Sequence, residues 1–335
     1  MNKGERNMRA ISDSGQRCGI VLAGGAGQRL RSFIYQLRGN TLPKQYVNII
    51  GTRSMLEHTF DRAEKLIPRE RLFTVVSHHH LNYPEVRRQL SSRPRGNTVV
   101  QPEDRGTLPG ILLPLMHLYK RYPDSTVAVF PADHFILEQD LFMAYVGLAF
   151  QAVESSPSNL ILLGIEPDGP EPEYGYILPD GAAGDLAPMG FRNVQLFVEK
   201  PGSGPAQQLV LGGGLWNTMV MVFKTDTVLD LVRRLAPRLH DSFQEILRAI
   251  GTRKERCVVE EAYRNMKSMN FSEEMLEALA RVHPSCLSVL PVSEVCWSDW
   301  GSGHRVVRTL KKIWLPESTA RNLREPAIRN LRNTL

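Results

Sequence analysis

Cysteine is scarce in this 335-residue chain: there are four, Cys18, Cys257, Cys286 and Cys296, with no C-x-x-C spacing. That argues against a disulfide framework or a zinc ribbon, and a reduced, cytoplasmic setting is expected. No apolar run approaches the roughly 20 residues that span a bilayer, so no membrane partner is expected. The N-terminal stretch is polar, carries Lys3, Arg6, Arg9 and Arg17, and has no apolar h-region. It is no standard secretory signal, and 1–16 reads as a disordered leader. No hexapeptide repeat occurs, so no β-helix extension is expected. The main body also lacks an excess of either charge. The formal net charge of +6 resides in 301–335, where eight Lys and Arg face only Glu317 and Glu325. No basic groove for nucleic acid is indicated, and 316–335 reads as a solvated basic tail.

What the chain does have is the string GIVLAGGAGQRL, Gly19 to Leu30, followed by Lys44 in LPKQY. It reads as a buried strand at 20–22 running into a glycine-rich turn. Glycines let the backbone approach a ligand and take positive φ, and successive N–H groups in such a turn make an anion-binding concavity. Arg29 and Lys44 add full positive charges, so the loop suits a polyphosphate. It is not a dinucleotide fingerprint, because G-x-G-x-x-G from Gly25 lacks its third glycine, and no G-x-x-x-x-G-K-S/T string exists. Further strands are expected at 72–76, 98–100, 127–130, 160–164 and 287–292. Helical patterns occupy 55–66, 108–119, 228–235, 241–250 and 272–282, while 165–200 has strand-and-turn character. The alternation predicts an α/β fold around a doubly wound, mostly parallel sheet, with a small helical and strand portion at the C-terminal end.

Other constellations bear on chemistry. Asp133, in FPADH, follows a buried strand, where open α/β sheets bind ligands. It is a candidate Mg²⁺ ligand or else an N-cap. Asp299, in WSDWGS, is a second metal candidate or an Asx turn before Gly301. Glu199 and Lys200, in FVEKP, point to opposite faces of a strand unless a local twist intervenes. They are ligand contacts only with that twist, and otherwise an exposed pair. Gly175 in EYGYI suits close backbone approach, and Asn217 in LWN suits reading hydroxyls. His78-His79-His80 reads as a polar loop, since consecutive residues cannot all converge on one metal.

Taken together, LAGGAGQRL, LPKQY, FPADH, EYGYI, FVEKP, LWN and WSDWGS resemble the sugar-1-phosphate nucleotidyltransferases, most closely the mannose-1-phosphate guanylyltransferases, over about 18–315. The segment LPKQYVNIIG also resembles the cytidylyltransferases acting on methylerythritol phosphate, but FPADH, FVEKP and WSDWGS fit the sugar enzymes better. The resemblance implies a GT-A-like, Rossmann-type nucleotidyltransferase domain at 17–315, its sugar-binding part about 165–300. It implies transfer of a nucleotidyl group from an NTP, expected to be GTP, to a sugar 1-phosphate, expected to be mannose 1-phosphate. Ala23, Gly24, Gly25 and Gly27 then line the nucleotide loop, with Gln101, Gly106 and Thr107 at the base. Arg29 and Lys44 hold the triphosphate. Asp133 and Asp299 bind Mg²⁺ as cofactor. Gly175, Glu199 and Asn217 contact the sugar, and Lys200 its phosphate. A homo-oligomer stays open.

Three departures from the pattern stand out. The base-reading segment has Gln101 and Gly106 where the guanylyltransferase pattern has Glu and Asn. That Q-P-x-x-x-G spacing resembles thymidylyltransferases, and one glutamine amide pairs with either guanine or thymine. Glu103 is a candidate acceptor for the guanine amino group. The glycine of N-x-G-x-F is replaced at Met219, and an S-x-D element reads Asn270-Phe271-Ser272. The alternatives are therefore a thymidylyl- or uridylyltransferase using glucose 1-phosphate, and a weakly active homologue that binds sugar nucleotide and regulates a partner.

Overall fold

A computed structural model of the chain describes residues 16–181 and 184–314. Apart from Gln16, the expected leader lies outside the described residues, as does the expected tail at 316–335. The strands are β1 (Arg17–Ala23), β2 (Leu72–Ser77), β3 (Thr98–Gln101), β4 (Thr126–Pro131), β5 (Phe135–Ile136), β6 (Leu160–Ile165), β7 (Tyr176–Pro179), β8 (Arg192–Val198), β9 (Leu215–Lys224), β10 (Leu287–Val292) and β11 (Trp297–Ser298). The helices are α1 (Arg31–Arg38), α2 (Met55–Ala63), α3 (Pro84–Ser91), α4 (Thr107–Arg121), α5 (Gln139–Ser155), α6 (Ser203–Leu211), α7 (Thr225–Leu235), α8 (Pro237–Ala249), α9 (Glu255–Asn265), α10 (Glu277–Val282) and α11 (Gly303–Trp314).

A nine-stranded sheet runs in the order β3-β2-β1-β4-β9-β6-β10-β8-β7. β1 to β4 pair in parallel, as do β6 and β10. β9 is inserted antiparallel between β4 and β6, and β8 is antiparallel to β10 and β7. All strands of the sheet except β8 and β9 thus run in one sense. The inner strands read as near-continuous apolar runs because both faces are covered. Along β1, Cys18 and Ile20 enter one core layer with α4, α7 and α8, while Val21 and Ala23 enter the other with α2, α5 and α11. Local chemistry fixes the helix ends: Ser54 and Glu57 form a reciprocal capping box at α2.

The sequence pattern named neither the long helix α5 nor α11, and two further features near the site escaped it. β9 is a central strand, yet Asn217 and Thr218 interrupt its apolar run; Thr218 is buried because its hydroxyl donates to the Leu163 carbonyl at 2.7 Å. The second is a two-stranded ribbon pairing Ile136 with Trp297 and Phe135 with Ser298. Each arm has only two residues, too few for any periodicity to register.

Candidate active site

The site forms beyond the carboxyl ends of β1, β3 and β4, the usual ligand crevice of an open α/β sheet. The glycine-rich loop leaves β1 and is held from below by LPKQY. Gln45 Nε2 donates to the carbonyls of Ala23 (2.8 Å) and Gly25 (2.9 Å), and the Tyr46 hydroxyl reaches Ala23 O at 3.1 Å. Tyr46 also meets buried His80 Nδ1 at 3.2 Å, so the histidine run sends one member inward as support for the loop. These carbonyls are thus turned toward the protein. Gly27 takes φ 59° as the loop enters the turn carrying Arg29.

Gly27, Gln28, Arg29, Leu30, Lys44, Asp133 and Gly301 line a cavity of about 250 Å³. Lys44 is the buried hinge of this group. Its ammonium lies 2.8 Å from Asp133 Oδ2 and donates to the carbonyl of Asp299 at 2.9 Å. Burial alone would raise the Asp133 carboxyl, but the adjacent Lys44 and His134 outweigh it and hold it below its ordinary value. No helix follows Asp133; β5 does, so the N-cap alternative falls away. The β5–β11 ribbon brings Asp299 in from far along the chain, and Trp300, at φ 44°, stacks on Phe135 with 4.8 Å between ring centroids. Asp299 does make the Asx turn, accepting from Gly301 N at 2.9 Å, and it also accepts from the Tyr174 hydroxyl at 2.9 Å and from Arg305.

The residues assigned to the sugar come together separately. A Cβ on Gly175 would lie 2.7 Å from Glu199 Oε2 and 3.3 Å from Asn217 Cβ, so a side chain there would push the Glu199 carboxylate aside. Lys200 takes φ 47° and supplies the local twist that FVEKP needs; its ammonium reaches Glu199 Oε1 at 3.0 Å. Asn217 Oδ1 accepts from Met219 N at 3.0 Å. The dipeptide Tyr174-Gly175 links the two groups: Tyr174 touches Asp299, and Gly175 touches Glu199 and Asn217.

Gln101 is 3% exposed and lies under the loop, its Nε2 at 2.5 Å from where a Gly24 Cβ would be. Its Oε1 is buried with no hydrogen-bond partner among the described residues, an acceptor awaiting a donor. Gly106 has a structural reason: φ is 86°, and an added Cβ would collide with the Met269 carbonyl. Thr107 Oγ1 accepts from Phe271 N at 2.8 Å and bonds Asn270, so it docks the 269–272 segment. Glu103 is paired with Arg105 at 2.9 Å.

No group of three or more His, Cys, Asp or Glu able to hold a metal occurs among the described residues. A Mg²⁺ bridged by phosphates needs only one or two carboxylates. Asp133 fits that role, since it already holds a cation, Lys44, at the cavity wall. Sequence reasoning missed Gln45, Tyr46, His80, Glu173 and Arg305. The first two lay within LPKQY, whereas Arg305 carried no local signal.

Comparison with known proteins agrees with this architecture. The nucleotidyl transferase family model matches residues 18–313. The xanthan biosynthesis protein XanB of Xanthomonas campestris pv. campestris (strain B100) is 31% identical over 227 residues, covering 68% of this chain and 46% of that protein. The mannose-1-phosphate guanylyltransferase of Escherichia coli (strain K12) is 30% identical over 288 residues, covering 84% and 57%. The chain thus spans about half the length of the curated relatives it matches. A solved structure described as mannose-1-phosphate geranyltransferase from Thermus thermophilus superposes with a TM-score of 0.74 at 24% identity, covering 88% of this chain and 79% of that one, a likeness of fold. The chain belongs to the nucleotidyl transferase family.

Proposed function

We propose that this protein transfers a nucleotidyl group from an NTP to a sugar 1-phosphate, with GTP and mannose 1-phosphate as the first pair to test. The observation that carries the reading is the Tyr174-Gly175 link, which sets a Lys44–Asp133 polyphosphate cavity beside the Glu199, Lys200 and Asn217 group. Relatives named as mannose-1-phosphate guanylyltransferases support the choice of substrates. In the reaction, an anionic oxygen of the sugar phosphate attacks the α-phosphorus. The new P–O bond forms in line with the one that breaks, and pyrophosphate leaves. A sugar phosphate is already a nucleophilic anion, so no general base is required. The obstacle is repulsion between two polyanions, which Arg29 and Lys44 offset at the triphosphate and Lys200 at the sugar phosphate. Asp133 and Asp299 would hold Mg²⁺, which neutralises phosphate charge when bound.

Base choice rests on Gln101, whose free Oε1 suits the ring N–H of guanine or thymine. The Gly106 departure carries little weight toward thymine, because φ and the Met269 carbonyl demand glycine there. A different sugar remains a second reading, favoured by one contact: the two other departures meet, with Ser272 Oγ donating to Met219 Sδ at 3.2 Å. The deciding experiment measures pyrophosphate release with Mg²⁺ over four NTPs and a panel of sugar 1-phosphates. Release with GTP and mannose 1-phosphate is expected. Release only with another pair corrects the specificity, and none with any pair favours the regulatory homologue.

A further inference from the structure

A second cavity, of about 190 Å³, is bounded by α2 and β5 and shares no lining residue with the Lys44–Asp133 cavity. Four basic side chains stand on its wall, Arg53, His58, Arg62 and His134, and among the described residues no carboxylate does. Gln139 apart, the other wall residues are apolar or aromatic, Ile50 and Trp300 among them. His58 and Arg62 are one turn apart on α2 and share a face. Burial lowers the His58 imidazole below its ordinary value, and the Arg62 and Arg53 charges lower it further. Arg53 is half exposed and pairs with Asp61. Arg62 differs: it is 2% exposed and makes no ion pair among the described residues. Its Nη2 donates to Thr59 Oγ1 at 2.5 Å and to the His134 carbonyl at 3.3 Å, but Nε is buried with no hydrogen-bond partner. Burial pulls the guanidinium down to about 10, so it stays charged at neutral pH. Trp300 Nε1 and His134 Nδ1 are likewise buried without partners.

We propose that this cavity binds a small organic anion, one carboxylate or phosphate group on an apolar body, with the acid group on Arg62 and the body against Ile50 and Trp300. A buried ion is costly unless it is paired or fully hydrogen-bonded. Here three wall residues hold unmet nitrogens, one of them carries a full charge, and no acid on the wall answers it. Water could meet the hydrogen bonds but would leave the charge uncompensated. Size sets the body: a cavity of roughly 150 Å³ holds a benzene ring, so this one takes a ring-sized group and its acid. The wall includes His134 and Trp300, each next in sequence to a candidate acid, Asp133 and Asp299, so an occupant touches the segments that frame the active site.

The test follows the Trp300 indole N–H in ¹H–¹⁵N spectra of the full chain, its peak assigned by its loss in Trp300→Phe. Benzoate is the first probe, phenyl phosphate the second, and benzyl alcohol the neutral control of matching size. Benzoate should shift the peak saturably in the wild type and equally in Arg29→Gln, which changes the other cavity. Phenyl phosphate should compete for the same shift, and the tighter of the two probes names the acid group. Benzyl alcohol should leave the peak in place. Arg62→Met should need at least about tenfold more benzoate, the loss expected with a charge-assisted hydrogen bond. No saturable shift, an equal response to benzyl alcohol, or wild-type benzoate binding by Arg62→Met overturns the proposal. If Arg62→Met does not fold, Ile50→Trp decides. It fills the cavity while keeping Arg62, so it should abolish the shift, and benzoate binding at wild-type strength in that variant overturns the proposal as well.

Discussion

Lys200 and Asp133 take opposite parts in the proposed chemistry, and single substitutions separate them. Lys200 is half exposed beside Glu199 on a left-handed backbone. Lys200→Ala should raise KM for the sugar 1-phosphate roughly tenfold or more, the loss expected for a charge-assisted hydrogen bond. Nucleotide affinity, measured by equilibrium titration, should stay unchanged; equal loss of both removes Lys200 from the sugar-phosphate role. Asp133→Asn keeps the shape but removes the charge that binds Lys44 and would bind Mg²⁺. Turnover should vanish at millimolar Mg²⁺, and a pyrophosphate assay retaining wild-type rates excludes Asp133 from the site. Gly106 tests a structural claim. Gly106→Ala should destabilise the chain by at least about 1–3 kcal/mol from backbone strain, read from the urea midpoint, with the clash against the Met269 carbonyl adding to it. At this scale the motif residues were legible in the sequence: Arg29, Lys44 and Asp133 line one cavity, and Lys44 also reaches the Asp299 carbonyl. Arg305 was not, because a basic residue on an amphipathic helix has no local mark of burial.

At the scale of elements, the glycine-rich loop depends on LPKQY and the turn at His78–Asn82 more than on its own sequence. Burial lowers the His80 imidazole below its ordinary value. The folded chain then takes up this proton only at lower pH than the unfolded chain. Its stability contribution is intact above pH 6.5 and is lost as pH falls from 6.5 toward the lowered folded value. Urea melts across that window should show stability declining with acid, and His80→Gln should flatten the slope by up to about 1.4 kcal/mol per pH unit. An identical slope in the variant assigns the acid sensitivity elsewhere; His58 and His117 are lowered by burial as well. The strands at β1, β2, β4, β6 and β10 were readable because burial on both faces makes them apolar throughout. β9 was hidden by Asn217 and Thr218, whose polarity is tolerated only because specific partners satisfy it.

Across the whole molecule, Arg29 and Glu173 bridge the nucleotide loop and the segment preceding Gly175, at 2.8 Å with both side chains about half exposed. A triphosphate that engages Arg29 competes with Glu173 for it. Glu173→Gln should therefore lower the NTP KM by a few-fold, in keeping with the small value of an exposed ion pair, and an unchanged or raised KM argues that Arg29 reaches the phosphates without leaving Glu173. The sequence by itself determined the class of fold, because alternating apolar strands and amphipathic helices leave few ways to bury both sheet faces, and it marked the glycine-rich loop with its paired cations, because those residues stand out within one short segment. Only the tertiary structure decided that the Lys44 ammonium joins the Asp133 carboxylate to the Asp299 carbonyl, that Gln101 sits beneath Gly24 with an acceptor unpartnered among the described residues, and that Arg305 ties Asp299 to Glu173. Those contacts join residues far apart in the chain through a two-residue ribbon and one buried helix face, and pairings of that kind depend on how layers pack rather than on any pattern within a segment.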